Sequence, residues 1–61
     1  MTIAEFTRFL KSQGIVIKAH GKKHDVYTNP ATGDIAQIPR HQSQEIKAGT
    51  KDMILKDLGL K

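Results

Sequence analysis

The sequence predicts an α+β domain in the order α-β-β-β-α, with a three-stranded antiparallel sheet and both helices on one face of it. Apolar residues recur at helical spacing near each end of the chain, and three short runs of strand-forming residues lie between them. The first link is a tight turn at Gly21–Lys23 and the second, residues 29–34, is dense in turn formers, and connections so short favour antiparallel pairing. Each helix then has one apolar stripe to bury, against the same face of the sheet.

Thr2 followed by Glu5 is a capping-box pattern, and Ile3, Phe6, Phe9 and Leu10 recur at helical spacing until Gly14. The first helix is therefore placed at about residues 3–13, with Phe6 and Phe9 in the core. Ile15-Val16-Ile17 opens a strand that runs to His20, with Ile15, Ile17 and Ala19 on one face and Val16, Lys18 and His20 on the other. A tight turn at Gly21–Lys23 returns the chain as a second strand, His24–Thr28. Val26 is its expected core residue, which puts His24 at the margin of the buried face and Asp25 and Tyr27 on the opposite one.

Asn29-Pro30-Ala31-Thr32-Gly33-Asp34 is rich in turn formers and closes a second hairpin. Ile35–Ile38 forms the third strand, ending at Pro39, with Ala36 and Ile38 inward. Residues 39–49 lack periodicity and read as an ordered loop pinned by Ile46. Thr50 is placed as the cap of a second helix through Asp57, with Met53, Ile54, Leu55 and Leu58 as its apolar stripe before Gly59.

The chain has 61 residues, a length that implies one domain over 1–61 with a small core and no deep cavity. It contains no cysteine, which excludes a disulfide framework and thiolate chemistry and fits a reducing compartment. No apolar run approaches the roughly 20 residues needed to cross a bilayer, so a cytoplasmic protein is expected. Ten Lys plus Arg against six Asp plus Glu leave a charge of +4, a balance that favours polyanionic partners. The aromatics are Phe6, Phe9 and Tyr27, too few for a base-stacking platform of the single-strand-binding type.

Gly21-Lys22-Lys23-His24 is the stretch with chemistry in it. Imidazole exchanges protons near neutral pH, and lysines attract a phosphate that gains negative charge in its transition state. Together they make a minimal ribonuclease kit that needs neither metal nor cofactor. The α-β-β-β-α order is also that of double-stranded RNA-binding domains, which read A-form shape and backbone.

The chain resembles the HicA family, small messenger-RNA-cleaving toxins of type II toxin–antitoxin pairs. The resemblance rests on the short first helix ending at Gly14, Gly21-x-x-His24, Ile38-Pro39-Arg40-His41, Glu45-Ile46-Lys47 with Gly49-Thr50, and Ile54-Leu55-Lys56 with Leu58-Gly59-Leu60. It implies a double-stranded-RNA-binding-domain-like fold, endoribonuclease action on mRNA, inhibition by a HicB-type antitoxin, and contact with operator DNA only through that antitoxin. His24 matches the family's catalytic histidine, whereas Lys22 and Lys23 stand where the usual motif has other residues.

Lys22 or Lys23 is expected to stabilise phosphate charge, with a second acid drawn from Lys, Tyr27 or water. Arg40 and Lys47 are candidates for phosphates or for antitoxin carboxylates, and Tyr27, expected on an open sheet face, for stacking on RNA or anchoring the antitoxin. His41 is placed either in catalysis or as a loop-anchoring residue. His20 and His24 have the four-residue spacing of helical metal ligands, but Gly21 lies between them and they fall on a strand and a turn, so no metal site is expected. The alternatives to a nuclease are a noncatalytic RNA-binding module and a protein-binding adaptor.

Overall fold

The computed structural model describes residues 1–61. Its elements run α1 (Ile3–Ser12), β1 (Val16–His20), β2 (His24–Thr28), β3 (Ile35–Pro39) and α2 (Ala48–Asp57). The strands form one antiparallel sheet in the order β1-β2-β3, so β1 and β3 are its edges. The expected α+β order holds throughout.

α1 begins with the full capping box. The Glu5 amide donates to Thr2 Oγ1 at 3.2 Å, and the Thr2 amide donates to Glu5 Oε1 at 2.8 Å, which holds the Glu5 carboxyl below its ordinary value. The amides of Ile3 and Ala4 donate instead to the carbonyls of Gln44 and Gln42, at 2.8 and 3.0 Å. A helix leaves its first amides without internal partners, and here the 40–47 loop supplies them. Ile46 packs against the core and its amide donates to the Met1 carbonyl, so the loop is pinned as expected. Both helices end alike: Gly14 and Gly59 have φ of 87° and 73°, and the residues after them, Ile15 and Leu60, donate back to Leu10 and Leu55. Glycine reaches this left-handed conformation without a Cβ clash, and the bonds satisfy carbonyls that the last turn would leave open.

α2 starts earlier than the sequence implies. Its N-cap is Lys47, which makes no side-chain capping bond, and Thr50 lies inside the first turn. Ile54 and Leu58 are buried, but Met53 is exposed. Phe9 is also exposed, stacked on the fully buried Phe6 with ring centroids 6.5 Å apart.

The core gathers Ile3, Phe6 and Leu10 from α1, Ile54 and Leu58 from α2, and Tyr27, Ala36 and Ile38 from the sheet, with Ile15 between α1 and β1. Tyr27 is 3% exposed and pairs across the sheet with Ala36. The inward face of β2 is therefore Asp25 and Tyr27, and the outward face is His24, Val26 and Thr28, the reverse of the expectation from Val26. A phenyl-sized ring buries more apolar area than valine, and the position opposite Ala36 has room for it.

Asn29 closes the β2–β3 turn. Its Oδ1 accepts from the Ala31 amide at 3.1 Å while its buried Nδ2 donates to the Leu58 carbonyl at 2.7 Å, joining the hairpin to the end of α2. Asn29→Ala leaves that carbonyl unpaired and is expected to destabilise the fold by about 2 kcal/mol. Urea unfolding reads this as a lower midpoint at constant slope, and an unchanged midpoint removes the staple from the account.

Candidate active site

The β1–β2 turn carries Lys22 and Lys23, both exposed, into His24 at the first position of β2. His24 is exposed, and its imidazole makes no hydrogen bond within the chain. It therefore lies on the outer face instead of at the margin of the buried one. Gly21 makes the turn tight: its amide donates to the His24 carbonyl at 2.8 Å, and a Cβ on residue 21 would stand 2.5 Å from that oxygen. No larger residue fits there without moving the backbone of His24.

Asp25, next to His24 but pointing inward, holds this turn from beneath. Its Oδ1 lies 3.1 Å from His20 Nδ1 and 3.3 Å from Arg40 Nε, and Arg40 Nη1 donates to the Gly21 carbonyl at 2.8 Å. The Arg40 amide also reaches the Lys23 carbonyl at 3.4 Å. A guanidinium presents several donors in a rigid plane, and here it joins the end of β3 to the turn through a carboxylate whose side chain is only 12% exposed. His20 reaches Asp25 because the β1–β2 register slips between Ile17 and Ala19: Ile17 pairs with Tyr27, Ala19 with Val26 and His20 with Asp25. A bulge of this kind reverses the alternation beyond it, which brings His20 to the Asp25 side.

On its other flank His24 borders a groove of about 470 Å³ between β3 and α2. Its walls include Ile35, Gln37 and Pro39 of β3 and Thr50, Met53 and Asp57 of α2.

The model of the family described as HicA toxin of bacterial toxin-antitoxin matches residues 3–60. The chain belongs to the HicA toxin family. It is similar to two proteins of Photorhabdus laumondii subsp. laumondii described as probable mRNA interferases HicA 1 and HicA 2. Each is 38% identical, over 98% and 100% of this chain respectively and over the whole of each relative. Among solved structures, a chain of the E. coli HicAB toxin-antitoxin complex superposes with a TM-score of 0.83 at 40% identity, over 95% of this chain and 96% of that one.

Within this HicA fold, Lys22, Lys23, His24 and Arg40 come together at one end of the sheet. Arg40 is engaged in the clamp on Asp25 and Gly21. Lys47 is exposed at the start of α2, and His41 is exposed in the loop, where its carbonyl accepts from the Gln44 amide. Tyr27 departs most from expectation. Its ring is enclosed in the core and presents no stacking face, and burial, with the Asp25 charge adding to it, pushes its phenol above the ordinary value of 10.0. It is neither an RNA platform nor an accessible acid.

Sequence reasoning passed over Asp25 and the groove residues. Asp25 had a signal, a carboxylate beside the key histidine; the groove had none, because it forms between elements distant in sequence.

A phenol whose folded pKa is raised adds stability that is fully present below its unfolded value and lost as pH rises through the folded one. The parent chain is therefore expected to lose stability above about pH 10 more steeply than Tyr27→Phe. Urea midpoints across that range check this, and identical slopes would refute it.

Proposed function

We propose that the chain is an endoribonuclease that cleaves mRNA, the toxin of a type II toxin–antitoxin pair, held inactive by a HicB-type antitoxin. The observation that carries this reading is the exposed, unbonded imidazole of His24, which follows Lys22 and Lys23 on a turn braced by Asp25 and Arg40. Membership in the HicA family and the descriptions of its relatives support the same reading.

In the proposed reaction a nitrogen of His24 takes the proton from a ribose 2′-hydroxyl. The oxygen attacks the adjacent phosphorus, the P–O5′ bond breaks, and the departing oxygen receives a proton from Lys22, Lys23 or water. The product pair is a 2′,3′-cyclic phosphate and a free 5′-hydroxyl, and the route uses no metal ion. Lysine ammonium groups offset the charge that builds on the phosphorane oxygens. DNA lacks the attacking hydroxyl and is spared.

Lys47 adds backbone attraction at the start of α2, as do Lys51, Lys56 and Lys61 at longer range. Lys61 is partly committed, since its Nζ pairs with Asp52 at 2.8 Å, and that ammonium holds the Asp52 carboxyl below its ordinary value. The antitoxin covers the His24 end with an acidic or inserted surface, complementary to this field. It also carries any contact with operator DNA, and the pair acts in the cytoplasm, where mRNA is found. No helix of the chain is long and apolar enough to cross a membrane.

His24→Ala is expected to lower RNA cleavage in EDTA by about 100- to 10,000-fold, the usual share of positioned acid–base catalysis, while RNA binding persists. Gel-resolved cleavage of a defined transcript with the purified protein tests it. Equal cleavage by the variant refutes the role of His24, and binding without cleavage by the parent chain leaves a passive RNA-binding module.

A further inference from the structure

We propose that the groove between β3 and α2 is a nucleobase subsite, seating the base of a nucleotide next to the phosphate attacked at His24, and that it favours bases bearing an exocyclic amino group. The proposal rests on the nuclease reading above and adds a source of cleavage-site preference to it.

Position is the first support. His24 borders the groove beside Pro39, its cross-strand partner, so a chain with its phosphate at His24 has the groove within reach of its neighbouring base. Thr50, Met53 and Asp57 fall at i, i+3 and i+7 and so line one face of α2. The volume of about 470 Å³ lies within the range of about 300–1,000 Å³ usual for small-ligand sites.

Chemistry is the second. No lysine or arginine lines the groove, and Asp57 brings a carboxylate into it. A phosphate is repelled there, whereas Lys22 and Lys23 beside His24 attract one. Ile35 and Met53, 52% and 57% exposed, are apolar surfaces that a flat heterocycle covers. Thr50 and Gln37 offer polar groups to its edge, and the Asp57 carboxylate accepts from an amino group of adenine, cytosine or guanine, which uracil lacks.

Backbone is the third. The amides of Asn29 and Arg40 donate to Asp34 and Lys23, fixing the hydrogen-bonded pairs at both ends of the β2–β3 ladder. Such pairs alternate, so Tyr27–Ala36 and Asp25–Ile38 are also bonded pairs, and the N–H and C=O of Gln37 point away from the sheet at its free edge. They form a donor–acceptor couple at the lip of the groove. Pro39 has no N–H to continue this edge, which disfavours an added protein strand and suits a ligand as short as one base.

The test maps cleavage ends in a mixed-sequence RNA pool for the parent chain, Asp57→Ala and Met53→Ala. The parent chain is expected to disfavour uridine about tenfold at one position flanking the cut bond, the scale of a good base contact. Asp57→Ala abolishes that bias, and Met53→Ala reduces it along with affinity for all bases. A parent chain that cleaves with no base preference at that position, or variants that cleave with the parental preference, overturn the subsite and leave the nuclease intact. Variants that keep the preference but lose binding to the antitoxin assign the groove to that protein and likewise overturn it. If the parent chain cleaves no RNA, the nuclease reading falls and the subsite falls with it. Met53 is exposed, so its variant keeps the test decisive should Asp57→Ala fail to fold.

Discussion

The inward setting of Tyr27 is the constraint on which the site depends. Side chains of a strand alternate between faces, and β2 is held in continuous register with β3 from His24–Pro39 to Thr28–Ile35. Once Tyr27 is packed with Ala36 beneath the helices, Asp25 must also point inward and His24 must point out. A slip of one residue would bury the imidazole and expose the phenol. The core and the reactive group are thus specified by one strand, and the burial that stabilises the fold is what presents His24 to solvent.

Asp25 extends that constraint into the turn. A carboxylate largely withdrawn from water needs partners, and it takes them from both neighbouring strands, His20 across the β1 bulge and Arg40 at the end of β3. Arg40 continues to the Gly21 carbonyl, and Gly21 closes on His24. The loop that carries Lys22 and Lys23 is therefore anchored on both sides, which limits the reorganisation needed when a phosphate arrives. The 40–47 segment also caps α1, so the loop that supplies Arg40 is itself tied to the first residues of the chain.

Much of this fold was legible because its punctuation is local. The Thr2–Glu5 box, the glycines at 14 and 59, and the Asn29–Asp34 turn each bound an element through bonds made within a few residues, and the elements fall where those signals place them. Faces were harder to read. Val26 and Tyr27 are both good strand residues, and which one turns inward depends on the shape of the space opposite Ala36, a property of the assembled core. The bulge after Ile17 carries no glycine to mark it, so the pairing of His20 with Asp25 was hidden as well. Phe9 and Met53 follow a helical stripe yet stay exposed, because a domain this small has too little interior for every apolar side chain on it. His24 and its lysines were legible for the opposite reason, since chemistry at a turn needs few residues and they are adjacent in the chain.

The central claim is that an outward imidazole on β2 draws a proton from ribose and that the ribose oxygen, not water, attacks phosphorus. The chemical ends of the RNA fragments report on this directly, by mass spectrometry of a short cleaved oligonucleotide. The account predicts a 2′,3′-cyclic phosphate on one fragment and a 5′-hydroxyl on the other. Fragments ending in a 3′-hydroxyl and a 5′-phosphate would contradict it.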